Sequence, residues 1–209
     1  MEIPLPFSQA SDNNKQPIFD GLRRHLLNPG SVLEVGGGTG QHAVFFAERL
    51  PFINWQSTDL PENVILLNQR ISHANLPNLP LACPLDVNQE TWLRHPVDAV
   101  FTANSLHIMS ISSVNNFFRG VGRVLKPGGL LFVYGPVKYQ GLFTTESNAK
   151  FDLWLKSRDP VSGVRDFETF DRLALAIDLE LVEDNDMPAN NQLLVWKKQA
   201  LTPRSLVRS

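Results

Sequence analysis

Ser31-Val32-Leu33-Glu34-Val35-Gly36-Gly37-Gly38-Thr39-Gly40 is a short apolar run that breaks into glycines. Val32, Leu33 and Val35 predict a buried strand, and Gln41 to Arg49 predicts a helix directly after the turn. Strand, glycine turn and helix in immediate succession make a layout for binding a cofactor. Glycines let the backbone turn sharply and approach a ligand with no Cβ between, and the helix start points free N–H groups at the same place. Two familiar loops are excluded by spacing. A dinucleotide fingerprint needs G-x-G-x-x-G, but counted from Gly36 or Gly38 the last position falls on Gln41 or Ala43. A phosphate-binding P-loop needs a lysine after its final glycine, where this chain has Gln41-His42. What remains is E-x-G-x-G-x-G, with a glycine-rich turn that binds nothing as the plainer alternative.

Composition bounds the rest. The 209 residues are 43% hydrophobic and 19% charged, with a net charge of −2, which gives no electrostatic footprint for nucleic acid. This is one domain of ordinary size, expected over residues 1–198, with 199–209 as a flexible tail. The single cysteine, Cys83, excludes a disulfide framework and a cysteine zinc site, and its apolar surroundings predict a buried, inert thiol. No metal is expected. The N-terminus has no basic segment before an apolar stretch, and no run reaches the roughly 20 apolar residues that span a bilayer. A cytoplasmic protein is the expectation; oligomeric state is not legible.

Taken in order, residues 1–16 form a polar, proline-broken arm, read either as a frayed end or as a lid carrying Asn13 and Lys15. A helix is predicted from Pro17 to about Leu27. After the glycine loop a second strand, Ile53 to Thr58, ends at Asp59, which lies 19 residues beyond Gly40. An acid at that place accepts hydrogen bonds from ribose hydroxyls; capping the next helix is the competing role. A helix over 62–72 leads to a third, edge strand over 79–87, closing at Asp86-Val87, where the acid suits either an adenine amine or a turn. The most apolar strand, 97–104, delivers Asn104, Ser105 and His107 to the ligand crevice. A helix over 114–125, a Lys126-Pro127-Gly128-Gly129 turn and a strand over 130–134 follow, placing Tyr134 at a strand end. Two further helices, 144–154 and 167–177, flank a charged loop with Arg158 and Arg165, and strands at 179–183 and 193–197 enclose a turn-rich loop with Asn190.

Strands alternating with helices, then a closing hairpin, give a doubly wound α/β sheet. V-L-E-V-G-G-G-T-G, Asp59, Asp86 and L-K-P-G-G together resemble the class I methyltransferases that use S-adenosylmethionine (SAM). That resemblance implies a Rossmann-like fold with a seven-stranded, mostly parallel sheet and an antiparallel C-terminal hairpin. Longer matches, G-T-G-Q-H-A, A-N-S-L-H-I, L-K-P-G-G-L-L-F-V-Y-G-P, S-N-A-K-F-D and D-M-P-A-N-N, look like a domain-of-unknown-function family of methyltransferase-like proteins, the one that includes methyltransferase-like protein 26. The resemblance implies a SAM-dependent methyltransferase with SAM held by Glu34, Gly36, Gly37, Gly38, Gly40, Asp59, Asp86, Val87 and Asn104. His107, Tyr134 and Asn104 are the catalytic candidates. Asn13, Lys15, Arg158, Arg165 and Asn190 are the candidates for substrate or lid. Gly37 replaces the Ser or Ala usual in such loops, a change expected to leave ligand approach intact. The acceptor is expected to be a small molecule, possessing an anionic group if the arginines bind it, with no nucleic acid and no membrane involved. The competing class is a non-catalytic SAM-binding or interaction module on the same fold.

Overall fold

The computed structural model describes residues 5–92 and 95–200. Helix α1 (Gln9–Leu22) leads into β1 (Gly30–Val35), α2 (Gln41–Arg49), β2 (Ile53–Asp59), α3 (Pro61–Ala74), β3 (Cys83–Pro84), β4 (Val97–Ala103), α4 (Ile111–Val124) and β5 (Leu125–Gly135). Then come β6 (Val137–Tyr139), β7 (Leu142–Phe143), α5 (Glu146–Arg158), β8 (Arg165–Asp166), α6 (Phe167–Leu175), β9 (Leu179–Met187), a short 3₁₀ turn at Pro188–Asn190, and β10 (Asn191–Lys198). Seven strands form one sheet in the order β3-β2-β1-β4-β5-β10-β9. The first five are mutually parallel and β10 runs antiparallel to both β5 and β9.

The period-2 alternation of the strands decides which helix packs where. Leu33, Val100, Leu131, Val133, Leu194 and Trp196 face one layer, with Val114, Phe117 and Phe118 of α4 and Phe170 of α6. Val32, Phe101, Phe132, Leu193 and Val195 face the other, against Ile18 and Leu22 of α1, Phe46 of α2 and Leu67 of α3. Both faces are therefore buried, as a parallel sheet requires. Phe46, Trp55 and Phe101 meet at ring separations of 5.3 to 5.7 Å, each such pair adding roughly 0.5–1.5 kcal/mol to its burial. Chain order reverses between β1 and β4, with the following helices on opposite faces, so a crevice opens at their carboxyl ends.

Several expected boundaries move. The polar N-terminal stretch is helical: α1 starts at Gln9, where Ser8 accepts a hydrogen bond from the Ser11 N–H, and Pro17 lies inside the helix instead of at its start. The third strand shrinks to Cys83–Pro84 because its prolines remove ladder donors; it holds the edge, and Cys83 is exposed, not buried. Lys126 to Gly129 does not break the chain but belongs to β5, whose Leu125 pairs with Val97. The charged loop is shorter than expected, since α5 runs to Arg158 and Arg165–Asp166 pairs with β6. The three-stranded satellite sheet β7-β6-β8 gave no periodic signal, each strand being two or three residues long. β9 extends to Met187, leaving only 188–190 to turn. Of the expected tail, residues 201–209 lie outside the described residues, while Gln199 donates its N–H to the Asp178 carbonyl at 2.8 Å.

Candidate functional site

The glycine loop leaves β1 at the bottom of the crevice. Gly36, Gly38 and Gly40 have φ of +80, +54 and +74°, a left-handed backbone that side chains rarely adopt. Gly37 is a glycine for a different reason: a Cβ there would lie 2.2 Å from Ser57 Oγ and 3.0 Å from Leu67. A Cβ on Gly38 would meet nothing within 4 Å, so this backbone faces open space. Two threonines from the flanking strands hold the end of β1, Thr58 donating to the Glu34 carbonyl at 2.7 Å and Thr102 to the Val35 carbonyl at 2.9 Å. The Gly36 and Gly37 N–H groups both donate to the Thr58 carbonyl at 2.9 Å. Helix α2 then begins at Gly40 with no side-chain cap, leaving first-turn amides directed at the crevice.

Acidic groups surround this loop. Asp59, 8% exposed, accepts at Oδ2 from the Gly38 N–H at 2.7 Å, and at Oδ1 from the Leu60 N–H at 2.8 Å and the Asn63 amide at 2.7 Å. It thus ties the loop to the residues around the start of α3 without capping that helix, whose N-cap is Leu60 with no side-chain cap. An ionised carboxylate has about four acceptor positions, so one on Oδ2 remains for a ligand hydroxyl. Glu34 is buried and accepts from Trp55 Nε1 at 3.0 Å; burial pushes its carboxyl up to about 7, with the Asp59 charge adding and the Trp55 hydrogen bond opposing. Asp86 forms a turn, its Oδ1 accepting from the N–H and side-chain amide of Asn88, both at 2.9 Å. Val87 beside it is buried.

Opposite the loop, the ends of β4 and β5 bring Asn104, His107 and Tyr134 together. Asn104 takes φ +56°, a conformation asparagine tolerates, and its N–H donates to the Tyr134 carbonyl at 2.9 Å. A Cβ on Gly135 would lie 3.7 Å from His107 Nδ1 and 3.8 Å from Asn104 Oδ1, ordinary contact distances that put this backbone beside both side chains, and His107 itself is buried. His107 packs edge-on against Phe151 at 5.2 Å. Burial lowers its pKa to about 4, helped by the positive charge of Arg165, and it is neutral at pH 7. Burial raises the Tyr134 hydroxyl's pKa, with Asn14 opposing, so the phenol stays protonated.

The remaining candidates point elsewhere. Asn13 is exposed and bonded to Gln9 at 2.8 Å, and Lys15 pairs with Asp12 over the Phe45 ring. Arg158 lies over the exposed Trp154 ring at 4.8 Å. Asn190 is exposed and donates to Ser147 at 3.0 Å. Arg165 does reach the crevice: with Leu106, His107, Tyr134, Gly135 and Phe170 it lines a small cleft beside the β5 end.

Sequence reasoning missed the residues that fasten α1 over the loop. Asn14 is 7% exposed and its Oδ1 meets His42 Nε2 at 2.6 Å; Gln41 exchanges hydrogen bonds with the Ser8 backbone at 2.6 and 3.2 Å. Arg70 of α3 donates to the Thr39 carbonyl at 2.6 Å and also to the Pro6 carbonyl. A signal existed: Asn14 falls on the same helical face as Ile18 and Leu22, a polar residue on the buried stripe. Burial lowers the His42 pKa to about 4, with Lys15 adding, so a neutral imidazole meets a neutral amide.

A family model described as a protein of unknown function, DUF938, matches residues 5–198. Among solved structures, an O-methyltransferase family protein from Burkholderia thailandensis superposes with a TM-score of 0.80 at 16% identity, over 92% of this chain and 58% of that one. Human N-acetylserotonin methyltransferase in complex with SAM gives 0.77 at 16% identity, over 92% and 53%. An O-methyltransferase family 2 protein from Planctomyces limnophilus in complex with apigenin gives 0.71 at 17%, over 89% and 62%. The chain spans a little over half the length of these proteins, and at such identities the likeness is one of fold. The architecture is that of the class I methyltransferases, an α/β fold with a seven-stranded, mostly parallel sheet and antiparallel C-terminal strands.

Proposed function

The chain belongs to the DUF938 family, and from that premise we propose that it is a SAM-dependent methyltransferase acting on a small molecule. The observation that carries the reading is the left-handed glycine loop, open above Gly38, with an uncapped helix start behind it and a spare acceptor on Asp59 in front. These features fit the group: an amino-acid carboxylate suits the α2 amides and a ribose hydroxyl suits Asp59. Glu34 to Gly40 would hold the methionine end, Asp59 the ribose, and Asp86, Val87 and Asn104 the adenine side. When bound, SAM supplies an electrophilic methyl group on a sulfonium centre.

The chain's own residues then orient and exclude water. Asn104 and the Tyr134 hydroxyl are hydrogen-bonding groups for an acceptor, and α1, fastened through Asn14, Gln41 and Arg70, roofs the loop. His107 is neutral and able to take a proton at its ring, but it is a weak base, which favours an acceptor whose nucleophile is itself acidic. The small-molecule assignment draws support from the apigenin-bound and N-acetylserotonin-methylating neighbours, and kinship with methyltransferase-like protein 26 belongs to the same reading. So does one domain over residues 1–198 with the N-terminal arm, residues 1–16, as a lid. A cytoplasmic location accords with a single cysteine in 209 residues.

Calorimetric titration with SAM and S-adenosylhomocysteine tests the cofactor, and transfer of labelled methyl from SAM into a cell metabolite extract tests the reaction. Micromolar binding of both with uptake of label is expected. Binding with no uptake under any extract would favour a non-catalytic module, and no binding would sink the reading.

A further inference from the structure

Behind Arg165 lies a second cavity of about 160 Å³, lined by Lys138, Lys156 and Arg165 with Asp152, Asp166 and Thr169 among its neighbours. Three cations face two carboxylates, and the carboxylates are already engaged. Asp152 pairs with Lys156 at 2.6 Å and accepts the Val164 N–H at 2.8 Å, while Asp166 pairs with Lys138 at 3.3 Å and accepts the Gly141 N–H at 2.9 Å. The unmatched charge is Arg165. Its Nη2 donates to the carbonyls of Met109 and Val161, yet its Nε is buried with no partner among the described residues. A buried guanidinium N–H without an acceptor is costly to keep, and with Nη2 already given to two carbonyls the unpartnered Nε–H is a charge-assisted donor for one oxygen of an acid group. Arg165 also forms part of the cleft beside His107 and Gly135, so one side chain links the two spaces.

We propose that this cavity receives the anionic group, a carboxylate or phosphate, of the methyl acceptor, seated against Arg165 between Lys138 and Lys156. The assignment rests on the methyltransferase reading above. An acid group held there leaves the rest of the acceptor to extend past Arg165 toward His107. Lys138 and Lys156 are then specificity-determining residues that the motifs did not mark.

The test uses the full chain and two probes, inorganic phosphate and benzoate, titrated at constant ionic strength in chloride. The Arg165 side-chain Nε–H resonance in a nitrogen-15 correlation spectrum reads binding directly, and a SAM titration runs on the same sample. A saturable shift with either probe is expected, phosphate preference indicating a phosphate ester acceptor and benzoate preference a carboxylate. Arg165→Gln should abolish binding, followed by calorimetry because the resonance is lost. Lys138→Gln, which leaves the buried arginine in place, should weaken it about tenfold, as loss of one charge-assisted contact would. No saturation with either probe, or unchanged affinity in Lys138→Gln, overturns the proposal. SAM binding without anion binding would overturn the subsite and spare the methyltransferase reading; anion binding without SAM binding would overturn that reading and the acceptor assignment with it.

Discussion

Within the loop, two adjacent glycines make separable predictions. Gly37→Ala places a methyl against Ser57 and Leu67, and overpacking of this kind costs roughly 1–3 kcal/mol of stability, readable as a lower denaturant midpoint. Gly38→Ala meets no atom but must hold φ near +54°, a strain of about 1–2 kcal/mol, and its methyl enters the open space in which the proposed function seats SAM. SAM affinity should therefore fall far more than stability in Gly38→Ala, and the reverse in Gly37→Ala; equal effects would argue that the loop does not touch the cofactor. The expectation that Gly37 leaves ligand approach intact omits the packing behind the loop, where Ser57 and Leu67 leave no room for a Cβ. Asp59→Ala should lower SAM affinity at least tenfold in calorimetry, since a hydrogen bond to a charged acceptor contributes about 1.5–3 kcal/mol. Asn14→Leu should cost about 1–3 kcal/mol by leaving His42 Nε2 buried without its partner. The glycines and Asp59 were legible because backbone geometry and strand-end position leave a mark on spacing. Asn14 and Lys138 were not, because their partners His42 and Asp166 lie far away in sequence and only the fold brings them together.

Among the elements, α1 departs furthest from what its residues suggest. Pro17 in its interior removes one ladder donor and crowds the carbonyl of Asn13, a penalty of around 3 kcal/mol in an ordinary helix. The Ser8 cap, the contacts of Ile18 and Leu22 with the sheet, and the Asn14 and Gln41 hydrogen bonds offset it. A helix held mainly by tertiary contacts is hard to find by propensity, which is why the proline reads as a start. Pro17→Ala should raise the unfolding temperature if the helix is straight, and lower SAM affinity if a bend there positions Asn14; thermal melts with and without SAM decide. The long strands were legible because both faces are apolar with alternating destinations, whereas β6, β7 and β8 are too short for any period to register.

For the whole molecule, three buried groups set the pH response together. The folded pKa of His42 and His107 is depressed to about 4 from 6.5, so their contribution is present above 6.5 and lost as pH falls toward 4. Glu34 is raised from 4.5 to about 7, so the folded state holds a proton that the unfolded chain releases, and stability drops as pH rises through that window. Between 4.5 and 6.5 the two histidines outweigh the one glutamate, and above 6.5 only the glutamate acts. Stability is expected to peak near pH 6.5 in denaturant titrations, and Glu34→Gln should remove the decline on the alkaline side while steepening the acid limb. A peak that Glu34→Gln leaves unmoved would reject the assignment. The sheet order carries a consequence for synthesis. β10 is inserted between β5 and β9, so while a ribosome is still translating residues 191–198 the outer edge of β5 has no partner and Trp196 is missing from its layer. Up to that moment the nascent chain presents an open apolar edge, the kind of surface that invites misassociation, and β10 acts as the latch that ends that exposure.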